Sequence, residues 1–269
     1  MTFERARFGI GYLDRLSYQD TVIHRLDPRT KVLSTLLFLL TVVSYPKYEV
    51  ASLLPLFLFP MLLMTLGDIP SGFVLRRMLL VSPFVIFIGI FNPFLDRNVV
   101  LYFFGYPLSA GWVSFFSIVV KFTLSISAAL LLLATTSFPG VCNALQRLGM
   151  PRLFTTQLVF LYRYMFVLME EAIRIVRARD MRSFGRHGTG IRVFIRLFGM
   201  LFVRTIERAE RIYNAMLSRG FQGDIPSIRQ YGFTLRDLLF ALAALAFLAA
   251  SRLLPVTDIV GSFVQRIAG

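Results

Sequence analysis

Side chains that do chemistry in enzymes are scarce in this sequence, and their spacing does not gather them. The only lysines are Lys31, Lys47 and Lys121, and none follows a glycine. The glycine-rich loop ending in Lys-Ser/Thr that cradles nucleotide phosphates is therefore missing. The two histidines, His24 and His187, stand in basic polar segments without His or Cys neighbours, which is not a metal-ligand pattern. Cys142 is a lone thiol near the end of an apolar run and reads as a packing residue. Glu170-Glu171 fall where an apolar helix turns polar rather than inside a span, so no carboxylate pair marks a proton relay or ion path through a membrane. The chain reads as non-catalytic, with no metal and no cofactor of its own.

What remains is arginine. Twelve of the 29 basic residues are arginines between Arg174 and Arg229, against four acids there: Asp180, Glu207, Glu210 and Asp224. A shift of 37 residues aligns two stretches of this region, and seven of the fifteen positions in 170–184 match 207–221. The matches are Glu170/Glu207, Ala172/Ala209, Arg174/Arg211, Ile175/Ile212, Ala178/Ala215, Arg182/Arg219 and Phe184/Phe221. Ordinary composition would give roughly one match. Each copy closes alike, Met181-Arg182-Ser183-Phe184-Gly185 in the first and Ser218-Arg219-Gly220-Phe221 in the second. Glycine suits the position just past a helix end, and an arginine in the last turn is favoured by the helix dipole. That accounts for either arginine alone. Their repetition points further, to two planar guanidiniums that can fork onto acidic grooves of a partner. The paired small residues Ala172/Ala178 and Ala209/Ala215 would let the two helices cross closely, while Glu170–Arg174 and Glu207–Arg211 are supporting i,i+4 pairs.

The elements that carry these tips are set by hydropathy. Of 269 residues, 56% are hydrophobic and 16% charged, and the mean hydropathy is +0.68. Soluble domains carry about a quarter charged residues. A net charge of +14 on so apolar a chain indicates cytoplasmic loops of a membrane protein rather than a nucleic-acid surface. Spans of about 20 apolar residues fit near 50–67, 75–95, 111–136 and 233–254, and a short tilted one fits 32–45. The predicted fold is all-α and polytopic, with about five transmembrane helices and a cytoplasmic set of long amphipathic helices. Four segments follow: a cytoplasmic N-terminal segment 1–31, transmembrane helices over 32–136, cytoplasmic or interfacial helices over 137–232, and a last span with its tail over 233–269. Residues 1–31 are polar and lack a signal-peptide core. Six basic residues precede the first span and Arg76-Arg77 mark the next cytoplasmic connection, while loops near Lys47 and Asp96-Arg97 carry almost nothing. The N-terminus and 137–232 are thereby expected on the cytoplasmic side. Residues 153–183 contain neither Gly nor Pro and predict one helix of about 46 Å, apolar in its first half and basic in its second. Residues 191–219 repeat that design. A membrane enzyme or a nucleic-acid binder would be the other readings, and the first lacks a catalytic constellation while the second conflicts with the spans.

Several segments together resemble the transmembrane T component of energy-coupling factor transporters, most nearly the CbiQ-type proteins of cobalt transport. They are His24-Arg25-Leu26-Asp27-Pro28-Arg29-Thr30-Lys31, Leu145-Gln146-Arg147-Leu148-Gly149-Met150-Pro151, Tyr162-Arg163-Tyr164, and Glu207-Arg208-Ala209-Glu210-Arg211 leading to Ser218-Arg219-Gly220. The resemblance runs from about residue 14 to 232. It implies that two short Ala-Arg-Gly-like motifs end coupling helices docked into two ATP-binding cassette ATPases. Ser218-Arg219-Gly220 would be the second. Ala178-Arg179-Asp180 competes for the first, but the repeat pairs Arg179 with Met216, so Met181-Arg182-Ser183 is preferred. The resemblance further implies ATP bound by the partner subunits, a separate substrate-capturing S component of the CbiM kind with a small CbiN-like companion, a multi-pass location in the cytoplasmic membrane, and cobalt as substrate, with nickel or a vitamin as rivals. No nucleic acid is implied.

Overall fold

The computed structural model describes residues 14, 16–95, 99–103, 106–182, 190–223 and 232–253. These form nine helices, labelled here in chain order, and one short hairpin. They are α1 (Pro28–Ser44), α2 (Leu58–Leu66), α3 (Ser71–Gly89), the single turn α4 (Asn92–Leu95), α5 (Ala110–Thr135), α6 (Phe138–Arg147), α7 (Arg152–Arg182), α8 (Ile191–Ser218) and α9 (Leu235–Leu253). Two 3₁₀ turns, Ala51–Leu53 and Pro55–Phe57, lead into α2. Strands β1 (Val99–Phe103) and β2 (Tyr106–Ser109) pair antiparallel between α4 and α5. The fold is all-α apart from that hairpin, for which the hydropathy reading gave no element.

The chain divides into two compact units, one formed by 16–137 and 231–269, the other by 1–15 and 138–230. In the first, α5 is the hub, packing against α1, α2, α3 and α4, while α9 packs on α1. Its buried positions explain this. Ala110, Ser114, Ser117, Leu124, Ala128, Leu131 and Thr135 are buried and advance by alternating steps of three and four, with Lys121 in the same register. That is a seam of mostly small residues, which lets helix backbones approach in a membrane where no hydrophobic force drives them together. Trp112 and Phe116 project from the helix, about half exposed. At the α3 end the approach is closer still. A Cβ on Gly89 would lie 2.8 Å from the Phe115 ring, so only glycine fits there. Phe38 of α1 stacks on Phe59 of α2 with centroids 4.6 Å apart.

Helices α3 and α5 are long and apolar enough to cross a membrane. Leu79, Leu80, Phe84 and Phe87 of α3 are exposed, as suits a helix facing lipid. In α9 the charges Arg236, Asp237 and Arg252 sit near the ends of an apolar stretch.

The second unit is built on α7. Helix α6 lies against it, with Phe138 stacked on Tyr162 at 4.7 Å. The Tyr162 ring meets Phe166 edge-on. The Leu145–Pro151 segment is a helix stop: Met150 N–H donates to the Leu145 carbonyl, and Gly149 adopts φ +111°. This is a Schellman arrangement. Helices α7 and α8 run antiparallel. Arg204 donates to Glu171 at 2.8 Å, and toward the start of α7 the Thr156 hydroxyl donates to the Gly223 carbonyl at 3.2 Å.

Candidate functional site

The two arginine tips differ in what surrounds them. Arg182 is the last residue of α7 and exposed, and Met181 beside it is 79% exposed. Ser183, Phe184 and Gly185 lie outside the described residues. Arg219 is the exposed C-cap of α8, its N–H donating to the carbonyls of Met216 and Leu217. Ser218 returns its hydroxyl to the Asn214 carbonyl at 2.9 Å. Gly220 adopts φ +79°, a left-handed conformation that L side chains avoid. Phe221 then donates its N–H to the Met216 carbonyl and lays its ring 6.1 Å from Phe160. The second tip is thus a Schellman stop clamped onto α7, with Arg219 turned out to solvent. From Phe160 to Arg182 the α7 axis covers about 33 Å, so the two tips stand well apart on one unit. The competing Arg179 has a side chain only 25% exposed and lies 3.4 Å from Asp180.

Of the four alanines, Ala172 is half-buried and Ala178, Ala209 and Ala215 are exposed. Ala209 lines an apolar groove of about 360 Å³ between α7 and α8, together with Phe160, Tyr164, Ile212 and Phe221. The Glu170–Arg174 and Glu207–Arg211 pairs are long, 3.9 and 4.0 Å, on the helix surfaces. Glu171 instead crosses to Arg204.

A second cluster escaped the sequence reading. At one end of the membrane unit, Lys31, Asp27 and Asp237 are 4%, 2% and 1% exposed. Asp237 Oδ1 accepts the Asp27 N–H at 2.6 Å, and Oδ2 accepts the N–H and hydroxyl of Thr234 at 2.7 and 2.6 Å. The Lys31 ammonium donates to the Thr135 carbonyl at 2.8 Å. Asp27 caps α1 by accepting the Arg29 N–H at 2.9 Å. His24 is buried too, not solvated as its polar segment suggested. Its Nε2 lies 3.3 Å from the Ala134 carbonyl and its Nδ1 2.7 Å from the Thr21 hydroxyl. A carbonyl only accepts, so Nε2 carries the proton and the ring serves structure. The available signal was narrow: Lys31 opens the first apolar run and Asp237 the last, and a charge drawn into such a run must find a partner.

Among the described residues no three His, Cys, Asp or Glu side chains gather as metal ligands. Burial pushes the Cys142 thiol up to about 11, which leaves it un-ionised and unreactive at neutral pH.

The profile of the CbiQ family, described as cobalt transport protein, matches residues 19–231. The chain belongs to the CbiQ family. Among curated relatives, it is 29% identical over 251 residues to the energy-coupling factor transporter transmembrane protein EcfT of Streptococcus thermophilus, covering 84% of this chain and 92% of that one. It is 33% identical over 101 residues to the cobalt transport protein CbiQ of Salmonella typhimurium, covering 37% and 45%. It also matches a putative fused cobalt transport protein CbiMQ of Methanocorpusculum labreanum, 34% identical over 116 residues, covering 43% and 19%. The chain is therefore a transmembrane component of a CbiQ/EcfT-type transporter and a membrane protein. This family membership gives the helix tips and the buried cluster a setting: a subunit that works with others.

Proposed function

We propose that this chain is the T component of an ATP-driven importer, a non-catalytic scaffold that links two ATP-binding cassette ATPases to a substrate-capturing membrane subunit. Arg182 and Arg219 are the contacts to the ATPases. The observation that carries this reading is the pair of exposed arginine tips, alike in sequence and about 33 Å apart along α7. Two like levers on one chain suit two copies of one partner. Arg182 is the better first contact than Arg179 because it is exposed at the helix end, whereas Arg179 is partly covered and adjacent to Asp180. Met181 and Ser183 flank the first arginine, and Ser218 and Gly220 the second. The small side chains of Ala172, Ala178, Ala209 and Ala215 leave room for helices to pack along α7 and α8. ATP is bound by the partners, and none by this chain.

Cobalt is the proposed substrate. A relative is named a cobalt transport protein, and the fused relative is named CbiMQ, which supports a CbiM-like capturing subunit as partner. The N-terminus and residues 137–232 lie on the cytoplasmic side of the cell membrane, in keeping with the distribution of basic residues.

The test is Arg182→Glu combined with Arg219→Glu in the full chain, co-expressed with its neighbouring ATPase and membrane subunits. Losing one partner of a desolvated charge pair costs about 2–5 kcal/mol, or roughly 30- to 5,000-fold in affinity. The double variant should insert normally, no longer co-purify with the ATPases, and take up no cobalt. Wild-type co-purification in that variant would end the proposal.

A further inference from the structure

The buried cluster lies within the membrane unit, at the ends of α1, α5 and α9. The chain passes from one unit to the other at 15/16, 137/138 and 230/231. Thr135, whose carbonyl Lys31 holds, lies two residues before the 137/138 crossing. Thr234 and Asp237 lie a few residues after the 230/231 crossing, and Asp237 grips the backbone of Asp27 at the start of α1. The end of α5, the start of α9 and the start of α1 are therefore tied at one point.

We infer that Lys31 and Asp237 form a latch that ties these three helix ends together, so that a force reaching α1, α5 or α9 moves the membrane helices as one body. This rests on the reading of the chain as an ATPase-coupled T component. The choice of chemistry supports it. Apolar packing would hold three helix ends together yet allow them to slide over one another. A helix end leaves its last four carbonyls without partners, and an ammonium fixed on one of them sets α1 against α5 in a single register. Asp237, accepting three hydrogen bonds from two elements, does the same for α9 against α1. A buried ion cluster is weak support for stability in itself, since desolvation offsets the attraction. Fixing one arrangement is what it does better than leucines.

Lys31 and Asp237 are thus positioning residues, and the readout is cobalt taken up per ATP hydrolysed. It is measured on the whole complex reconstituted in liposomes. Lys31→Met should leave the ATPases bound and hydrolysing while lowering that ratio by about tenfold, within the range for residues that carry coupling between sites. Lys31→Arg, which still donates to a carbonyl, should restore most of it. Uptake and hydrolysis falling together, or an unchanged ratio, would overturn the latch. Should Lys31→Met fail to insert, the near-isosteric Asp237→Asn keeps the acceptor for Asp27 and should still lower the ratio severalfold; an unchanged ratio there also overturns it. If the wild-type chain itself binds no ATPase, the proposed function has failed instead.

Discussion

Lys31 and Asp237 on one side, and Arg182 and Arg219 on the other, are pairs of charged residues in opposite situations. The first two are buried and their hydrogen bonds are answered within the chain. The second two stand exposed at helix ends. A buried charge must be paired because water is no longer there to solvate it, so its role is inward, holding backbone to backbone. An exposed guanidinium at a rigid helix end costs nothing to leave in water and is ready for an acceptor on another surface. The difference teaches where to look for partners: not at charge itself, but at charge that the fold positions and does not use.

The sharpest way to break this contrast is to compare Arg182→Glu with Arg179→Glu as single changes. If an exposed helix-end position is what matters, Arg182→Glu should weaken ATPase co-purification at least about tenfold, as expected for one partner of a desolvated pair. Arg179→Glu should weaken it about twofold or less, in line with a surface ion pair. The opposite ranking would place the first motif at Ala178-Arg179-Asp180 and show that the 37-residue repeat misassigned it.

The sequence revealed the two sides of the contrast unequally. Helix α7 was legible in full, because no Gly or Pro interrupts 153–183 and the structure forms one helix over Arg152–Arg182. Long helices were legible from the charge-free runs: α3, α5 and α9 fall on three of the expected spans, and α3 and α5 are long and apolar enough to cross a membrane. The span expected near 50–67 begins as 3₁₀ turns, consistent with Pro55 and Pro60 each removing a backbone donor. The hairpin was hidden because β1 and β2 are as apolar as the helix after them, and hydropathy carries no period there that separates strand from helix. That Arg182 and Arg219 stand at helix ends was legible because the stop signals lie beside them in sequence. The latch was not, since Asp27 and Asp237 are 210 positions apart in sequence and only the fold joins them.

Gly220 offers a milder test, on the rigidity that the exposed tip requires. Its φ of +79° has open space around the missing side chain, so a substitution meets backbone strain and no clash. Gly220→Val should cost about 1–2 kcal/mol at that helix end, fraying the last turn of α8 and loosening the Phe221 contact with Phe160. ATPase binding should fall severalfold while insertion is unaffected. Unchanged binding would mean that Arg219 does not need a fixed helix end, and the tip would be no more than a charge.

The smallest expected effect lies between the two extremes, at Glu171–Arg204. The Arg204 side chain is 55% exposed and that of Glu171 20%, with 2.8 Å between them, so this pair is neither sealed like the latch nor open like the tips. Surface pairs contribute about 0.2–1 kcal/mol, and partial cover places this one toward the upper end. A double-mutant cycle with Glu171→Gln and Arg204→Gln, followed by thermal unfolding of the detergent-solubilised chain, isolates the pairwise part. Its coupling energy should shrink as salt is raised, because mobile ions reach an exposed guanidinium. Repeating the cycle on Lys31→Met and Asp237→Asn should give a coupling that salt hardly changes, because that cluster is out of reach of solvent ions. Equal salt sensitivity in the two cycles would mean that the latch is hydrated in the membrane. Its charges would then be doing the same surface work as those of α7 and α8, and the distinction between inward and outward charge would fall.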